Sequence, residues 1–311
     1  MPRPLALGVY VAGILFCFTP RASPGLALGL GLAFALLGDN PYRESGSAYV
    51  KWLLQASVVL LGFGVDLGAV LRVGAHGLLF AAVTIFATFT LGYWLARLLD
   101  INRKTSLLIS AGTAICGGSA IAAVGSAVDA DKGEMSVAMG TVFLLNAVAL
   151  YLFPALGHLL GLNQAQFGTW AGVAIHDVSS VAGAAASYGD QALHVATIVK
   201  LSRVLWILPV TFAAAALFPR EGKPRGRFTV PWFILGFLLA SAAGSLLPAL
   251  RPAAPWLARA AKIGFAATLF CIGASLSRAA LRQVGYRPLL QGLCLWFFIS
   301  SAALLAVFDL G

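Results

Sequence analysis

Apolar residues in this 311-residue chain come in long blocks, divided by short runs of Gly, Pro, Arg, Lys and Asp. The blocks cover about 5–18, 24–38, 51–65, 74–99, 104–128, 134–160, 168–188, 191–217, 229–247, 255–276 and 287–309. Several reach the roughly 20 residues a helix needs to cross the hydrocarbon of a bilayer. In that solvent every backbone N–H and C=O must be satisfied within the protein, which favours helices over any open sheet. The pattern predicts an all-α polytopic membrane protein of about eleven hydrophobic elements, folded as one transmembrane domain over residues 1–311. Met1–Arg3 is too short for a signal-peptide n-region, and no small-residue cleavage site follows Leu5–Phe18, so the first block reads as a retained helix.

Composition agrees with the pattern. Charged residues make up 10% and hydrophobic residues 60%, with a mean hydropathy of +0.90, whereas a soluble domain carries roughly 25% charged residues. The net charge of +10 and pI near 9.9 could suggest nucleic acid. That role needs basic residues clustered on a wet face with stacking aromatics. Here they stand singly between apolar runs, as the positive-inside rule expects of an inner-membrane protein. The richest connection, Arg220–Arg227, is assigned to the cytoplasm; stepping along the elements then places Arg97, Arg103 and Lys104, and the N-terminus, inside and Gly311 outside. Arg251, Arg259 and Lys262 fall outside as the main exception. Cys17, Cys116, Cys271 and Cys294 lie singly in apolar stretches without metal or redox spacing, and read as buried free thiols. No metal and no cofactor is expected.

Two internal similarities stand out. Leu61-Gly62-Phe63-Gly64-Val65-Asp66-Leu67 with Arg72-Val73-Gly74 resembles Phe270–Leu276 with Arg282–Gly285, in elements that the charge pattern runs in opposite directions. Ala111–Ile115 and Ser119 recur as Ala171–Ile175 and Ser179 at a constant offset of 60. Both point to inverted repeats of the kind that place a binding site between two interrupted helices. Elements five and seven are therefore expected to be broken or re-entrant, with the breaks meeting at the membrane midplane.

The candidate functional residues lie in and around those breaks. Cys116, Gly117, Gly118 and Ser119 interrupt element five; adjacent glycines form helices poorly, and a helix restarting near Ser119 aims N–H groups and a positive dipole end at any anion. The matched stretch of element seven carries His176, Asp177, Ser179 and Ser180. Ionisable residues in an apolar span point to function; the competing reading has Asp177 as the N-cap of the turn that follows. Lys200 and Arg203, three apart in element eight, share a helix face and suggest an anion pathway or counter-ions for Asp177. Asn146, mid-helix in element six, is either cavity lining or interhelical glue. Asp66, His76, His158 and His194 stand at or near element ends, and Asp129–Glu134 reads as a solvated loop.

From Thr105 to Val210 the chain resembles a family of bacterial inner-membrane proteins, often called the YeiH family and named for a suspected export of sulfate or sulfonate-derived anions. The resemblance rests on Ala111–Ala123, Tyr151–Pro154 with Gly157-His158, Trp170–Asp177, Val199–Val204 and Pro231–Phe237. The family's usual form has a Thr and an amide after the His-Asp pair, where this chain has Val178 and Ser179. More distantly, the broken-helix plan is similar to sodium/proton antiporters and bile-acid/sodium symporters.

Together these readings predict a secondary transporter, in the exporting direction, for a small anion such as sulfate or a sulfonate. Ser119, Ser179 and backbone N–H groups would hold the anion, Lys200 and Arg203 would attract it, and His176 and Asp177 would couple it to a proton or sodium ion. The alternative is a sodium/proton antiporter with Asp177 as ion carrier. No Walker-type phosphate loop is present, and His176-Asp177 is no zinc-hydrolase motif, so an enzyme is not expected. The partners are the anion, the coupling ion and the lipid bilayer, with a homodimer left open. Reporter fusions after Gly222 and at Gly311 should give opposite signals; identical signals would break the eleven-element count.

Overall fold

The computed structural model describes residues 3–19, 22, 24–37, 47–218, 232–250, 252–275 and 285–309. Among them every regular element is a helix: α1 (Arg3–Phe16), α2 (Pro24–Leu37), α3 (Ser47–Gly62), α4 (Leu67–Leu98), α5 (Arg103–Ala114), α6 (Gly118–Ala127), α7 (Lys132–Leu159), α8 (Gln164–Ala174), α9 (Val178–Tyr188), α10 (Asp190–Val204), α11 (Ile207–Leu217), α12 (Trp232–Leu246), α13 (Ala254–Ser275) and α14 (Tyr286–Asp309), with a single 3₁₀ turn at Pro248–Leu250. The basic connection Arg220–Arg227, and Arg43, Arg251, Leu276, Arg278 and Arg282, lie outside the described residues.

Residues 77–98 of α4, α7, the α10–α11 pair and α14 are each long and apolar enough to cross a bilayer. Their outer faces carry exposed large apolar side chains, among them Leu79, Phe86, Leu98, Phe297 and Leu305. A protein in water would bury these; in lipid they are solvated. The chain is a multi-pass, all-helical membrane protein.

Local sequence sets the helix ends. Asn102 accepts from the N–H groups of Lys104 and Thr105 to start α5. Asp131 and Glu134 form a reciprocal capping box at the head of α7, and Asn163 and Gln166 form another at α8, satisfying N–H groups the helix cannot pair itself. The acidic stretch read as a bare solvated loop is therefore, in part, a helix start.

Element five divides into α5 and α6, and element seven into α8 and α9, each across three residues. The divisions fall at Ile115–Gly117 and Ile175–Asp177, keeping the offset of 60 read from the sequence. Element eight holds a third interruption that the hydrophobic pattern conceals. The helix α10 stops at Val204, directly after Arg203, and α11 begins at Ile207. Pro209 accounts for it, since proline lacks an N–H and its ring crowds the carbonyl four residues earlier.

The helices pack as two groups. In one, α13 lies against α2 and α3, and α3 against α12. In the other, α10 lies against α8, α9 and α4, while α14 lies against α8, α5, α4 and α7. The helix α9 touches both groups through α2 and α13.

The α8–α10 seam matters most for the site because α10 carries Lys200 and Arg203. Gly168 and Gly172, four apart on α8, let the two backbones close in; a Cβ at Gly172 would stand 2.9 Å from the Val199 side chain and 3.0 Å from the Ala196 carbonyl oxygen. Small residues at this spacing are how membrane helices come together without a hydrophobic driving force. Gly172→Val should destabilise the detergent-solubilised protein by about 1–3 kcal/mol, the usual cost of overpacking. Gly8→Ala, at a position within α1 with nothing within 4 Å of the added carbon, should not lower the melting temperature.

Candidate functional site

The two interruptions meet. Gly117 adopts φ +68°, a region side chains rarely enter, and a Cβ there would lie 3.1 Å from Cβ of Asp177. Glycine is required twice at this point, once for the backbone and once for the approach. Four helix ends thus converge in one place: the C-termini of α5 and α8 and the N-termini of α6 and α9. Each exposes backbone groups with no intrahelical partner, and each carries about half a charge of its helix dipole.

Three of the four ends are closed by side chains. At the C-terminus of α5, Arg203 donates through Nη2 to the Ala114 carbonyl, and Lys200 Nζ lies 3.4 Å from the Ile115 carbonyl oxygen. Arg203 is fixed further by Nη1, which donates to Thr84 Oγ1 at 2.9 Å. At the C-terminus of α8, the Trp296 indole N–H donates to the Ala174 carbonyl at 3.2 Å. At the N-terminus of α9, Asp177 Oδ1 accepts from the N–H of Ser179 at 2.7 Å and of Ser180 at 3.3 Å. The hydroxyls of Ser179 and Ser180 donate to the same carboxylate.

The fourth end differs. Gly117 gives the N-terminus of α6 no side-chain cap. The Cys116 sulfur sits beside the Ser119 hydroxyl and the Ala120 N–H, but no carboxylate or amide closes this helix as Asp177 closes α9. The matched segments therefore have opposite character: one has a built-in anion at its N–H end, and the other has cations at its carbonyl end and an open N–H end.

Around the crossing, buried polar groups are left unpaired. His176 is fully buried; its backbone N–H donates to Asn146 Oδ1 at 3.0 Å. Its ring nitrogens make no hydrogen bond, the Val142 carbonyl being close but outside bonding geometry. Asn146 Nδ2, Arg203 Nε and Thr113 Oγ1 are likewise buried without a partner. Most of these groups are donors. Lys200 and Arg203, 0% and 1% exposed, are two buried cations beside one partly buried carboxylate.

The predicted residues are therefore gathered around one crossing. Ser179 and Ser180, expected to donate to an anion, donate to Asp177 instead. Lys200 and Arg203, expected to line an anion pathway or to serve as counter-ions for Asp177, bond to carbonyls of α5, and Arg203 also to Thr84; among the described residues neither forms an ion pair with Asp177, which acts on Lys200 only through space. Asp177 is the N-cap of α9 that the competing reading proposed. Ser119 is exposed and Cys116 buried. None of the four cysteines is in a disulfide among the described residues; three are buried, and Cys294 is only partly so.

Comparison with known proteins places this architecture. The family described as conserved hypothetical protein 698 matches residues 6–292. The chain belongs to this family. It corresponds to the YeiH-type resemblance read from the motifs. Curated relatives are UPF0324 membrane proteins: one from Porphyromonas gingivalis is 51% identical over 290 residues, covering 92% of this chain and 87% of the relative. One from Bdellovibrio bacteriovorus is 48% identical, covering 94% and 91%, and one from Geobacter sulfurreducens is 45% identical, covering 97% and 96%. No solved structure matches. These names state that UPF0324 proteins are membrane proteins and nothing of what they carry.

Sequence reasoning missed Thr84 and Trp296, which complete the closure of α5 and α8. Neither carries a local signal, because a threonine or tryptophan in an apolar helix looks like any other packing residue. The role of Asn146 was visible only as two alternatives; it holds the second break in place through the His176 N–H.

The cap at α9 can be separated from the charge. Asp177→Ala removes every acceptor and should cost about 0.5–2 kcal/mol, the usual worth of an N-cap. Asp177→Asn keeps an oxygen for the Ser179 and Ser180 N–H groups and should melt within a few degrees of wild type. Equal losses in both, measured by thermal unfolding in detergent, would assign the stabilisation to the negative charge.

Proposed function

We propose that the protein is a secondary transporter for a small anion, such as sulfate or a sulfonate, in the bacterial inner membrane. The observation that supports this best is the sign of what is left unpaired at the crossing. The open N-terminus of α6, Asn146 Nδ2, Arg203 Nε and the three donors of Lys200 Nζ, with one long contact among them, all offer hydrogens. An anion entering low dielectric needs such donors and fixed positive charge to replace its hydration. A cation would need free acceptors, and the carboxylate of Asp177 already receives the Ser179 and Ser180 donors.

Coupling is assigned to His176 and Asp177, with a proton or sodium ion taken up on the same cycle. Neither ring nitrogen of His176 meets hydrogen-bond geometry with any described residue, and the Val142 carbonyl lies beside the ring. The rival is exchange of sodium for protons at Asp177, which requires the carboxylate to release its own helix cap.

The two readings separate in proteoliposomes. Labelled sulfate or sulfonate flux should follow an imposed proton or sodium gradient. Lys200→Ala and Arg203→Ala should weaken anion affinity by about tenfold or more, or roughly 1.4 kcal/mol. Asp177→Asn should leave binding largely intact and loosen its link to the ion gradient. Unchanged anion affinity in both cation variants, with sodium or proton exchange abolished by Asp177→Asn, would install the antiporter in place of this reading.

A further inference from the structure

The charges gathered at the crossing can be counted. The helix α10 presents Lys200 and Arg203, both buried. The α8–α9 connection presents Asp177 and His176, and the α5–α6 connection presents the thiol of Cys116. Among the described residues, the side chains that bond to the crossing from other helices are neutral: Asn146 from α7, Thr84 from α4 and Trp296 from α14. The four helix ends cancel in pairs, two C-termini against two N-termini, since each contributes about half a charge. With Lys200 and Arg203 both protonated, Asp177 ionised, and the imidazole and the thiol neutral, the count leaves one uncompensated positive charge.

An uncompensated charge inside a membrane is costly on either side of zero. A bound monoanion brings the crossing to neutrality. A bound dianion overshoots it by one negative charge, and something must bring one proton back. The carboxylate of Asp177 is a poor place for it, because its oxygens already accept from two N–H groups and two hydroxyls. His176 is better placed: it is fully buried, its backbone is anchored to Asn146, and both ring nitrogens are without hydrogen bonds.

We infer that the crossing accepts one net negative charge per cycle, either a monoanion alone or a dianion together with one proton held on His176. This rests on the anion reading above and narrows it from small anions in general to a rule of charge. The rule predicts that the protein tells substrates apart by how many protons come with them as well as by shape.

Isothermal titration calorimetry on the full-length protein in nanodiscs tests this directly, using sulfate as the dianion and methanesulfonate as the monoanion near pH 7.5. Repeating each titration in buffers of different ionisation enthalpy yields the protons taken up per anion bound. The expected result is close to one proton with sulfate and close to none with methanesulfonate. Sulfate binding without proton uptake, or methanesulfonate binding with one proton, overturns the rule while leaving anion transport standing. Failure of every anion to bind removes the anion reading itself, and the rule with it. His176→Gln should abolish the proton uptake that accompanies sulfate; uptake retained in a folded His176→Gln protein would remove the proton from His176. Asp177→Asn, which raises the fixed charge by one, should bind sulfate with no proton at all.

Discussion

A helix broken inside a membrane must hand its loose backbone groups to something other than water. Two such breaks meet here, and nearly every unusual residue of the chain is engaged in meeting that demand. Each unsatisfied group in hydrocarbon costs several kcal/mol, so the closures by Lys200, Arg203, Trp296 and Asp177 are conditions for the fold as much as features of a site. On the anion reading, binding draws on what one of the four helix ends leaves over.

The same constraint explains why the two matched segments diverged in chemistry while keeping their register. Both stop after an alanine and restart three residues later. One uses Gly117 and Gly118, which supply no cap and leave N–H groups available; the other uses Asp177, which supplies the cap within its own turn. A symmetric pair of capped breaks would be stable and inert. A symmetric pair of open ones would leave too many buried donors. Asymmetry lets one half hold the structure while the other half keeps its donors free.

Much of this was legible in the sequence because it depends on local chemistry. The spans follow from hydrophobic length, and the breaks from Gly117-Gly118 and from polar residues set in an apolar run. What was not legible depends on which helix ends up beside which. Lys200 and Arg203 announced themselves as buried cations, but their carbonyl partners lie on α5, and no spacing within α10 reveals them. The third break was available in principle from Pro209, yet unbroken hydropathy across 191–217 hides it. Ser179 and Ser180 stand two and three residues after Asp177, and their hydroxyls donate to that carboxylate, a contact that a search for anion ligands in an apolar run passes over.

The closure of α5 also has a consequence for how the protein is made. The carbonyls of Ala114 and Ile115 are capped by residues 89 and 85 positions later in the chain. At about 5–20 residues per second, the ribosome delivers those cations roughly 4–18 s after the carbonyls they satisfy. In that interval the break between α5 and α6 has no partner of its own. It must wait at the lipid interface or within the insertion machinery until α10 arrives. On that timing the middle of the chain, residues 103–204, is sealed late, and the end of α8 later still, because Trp296 follows Ala174 by 122 positions.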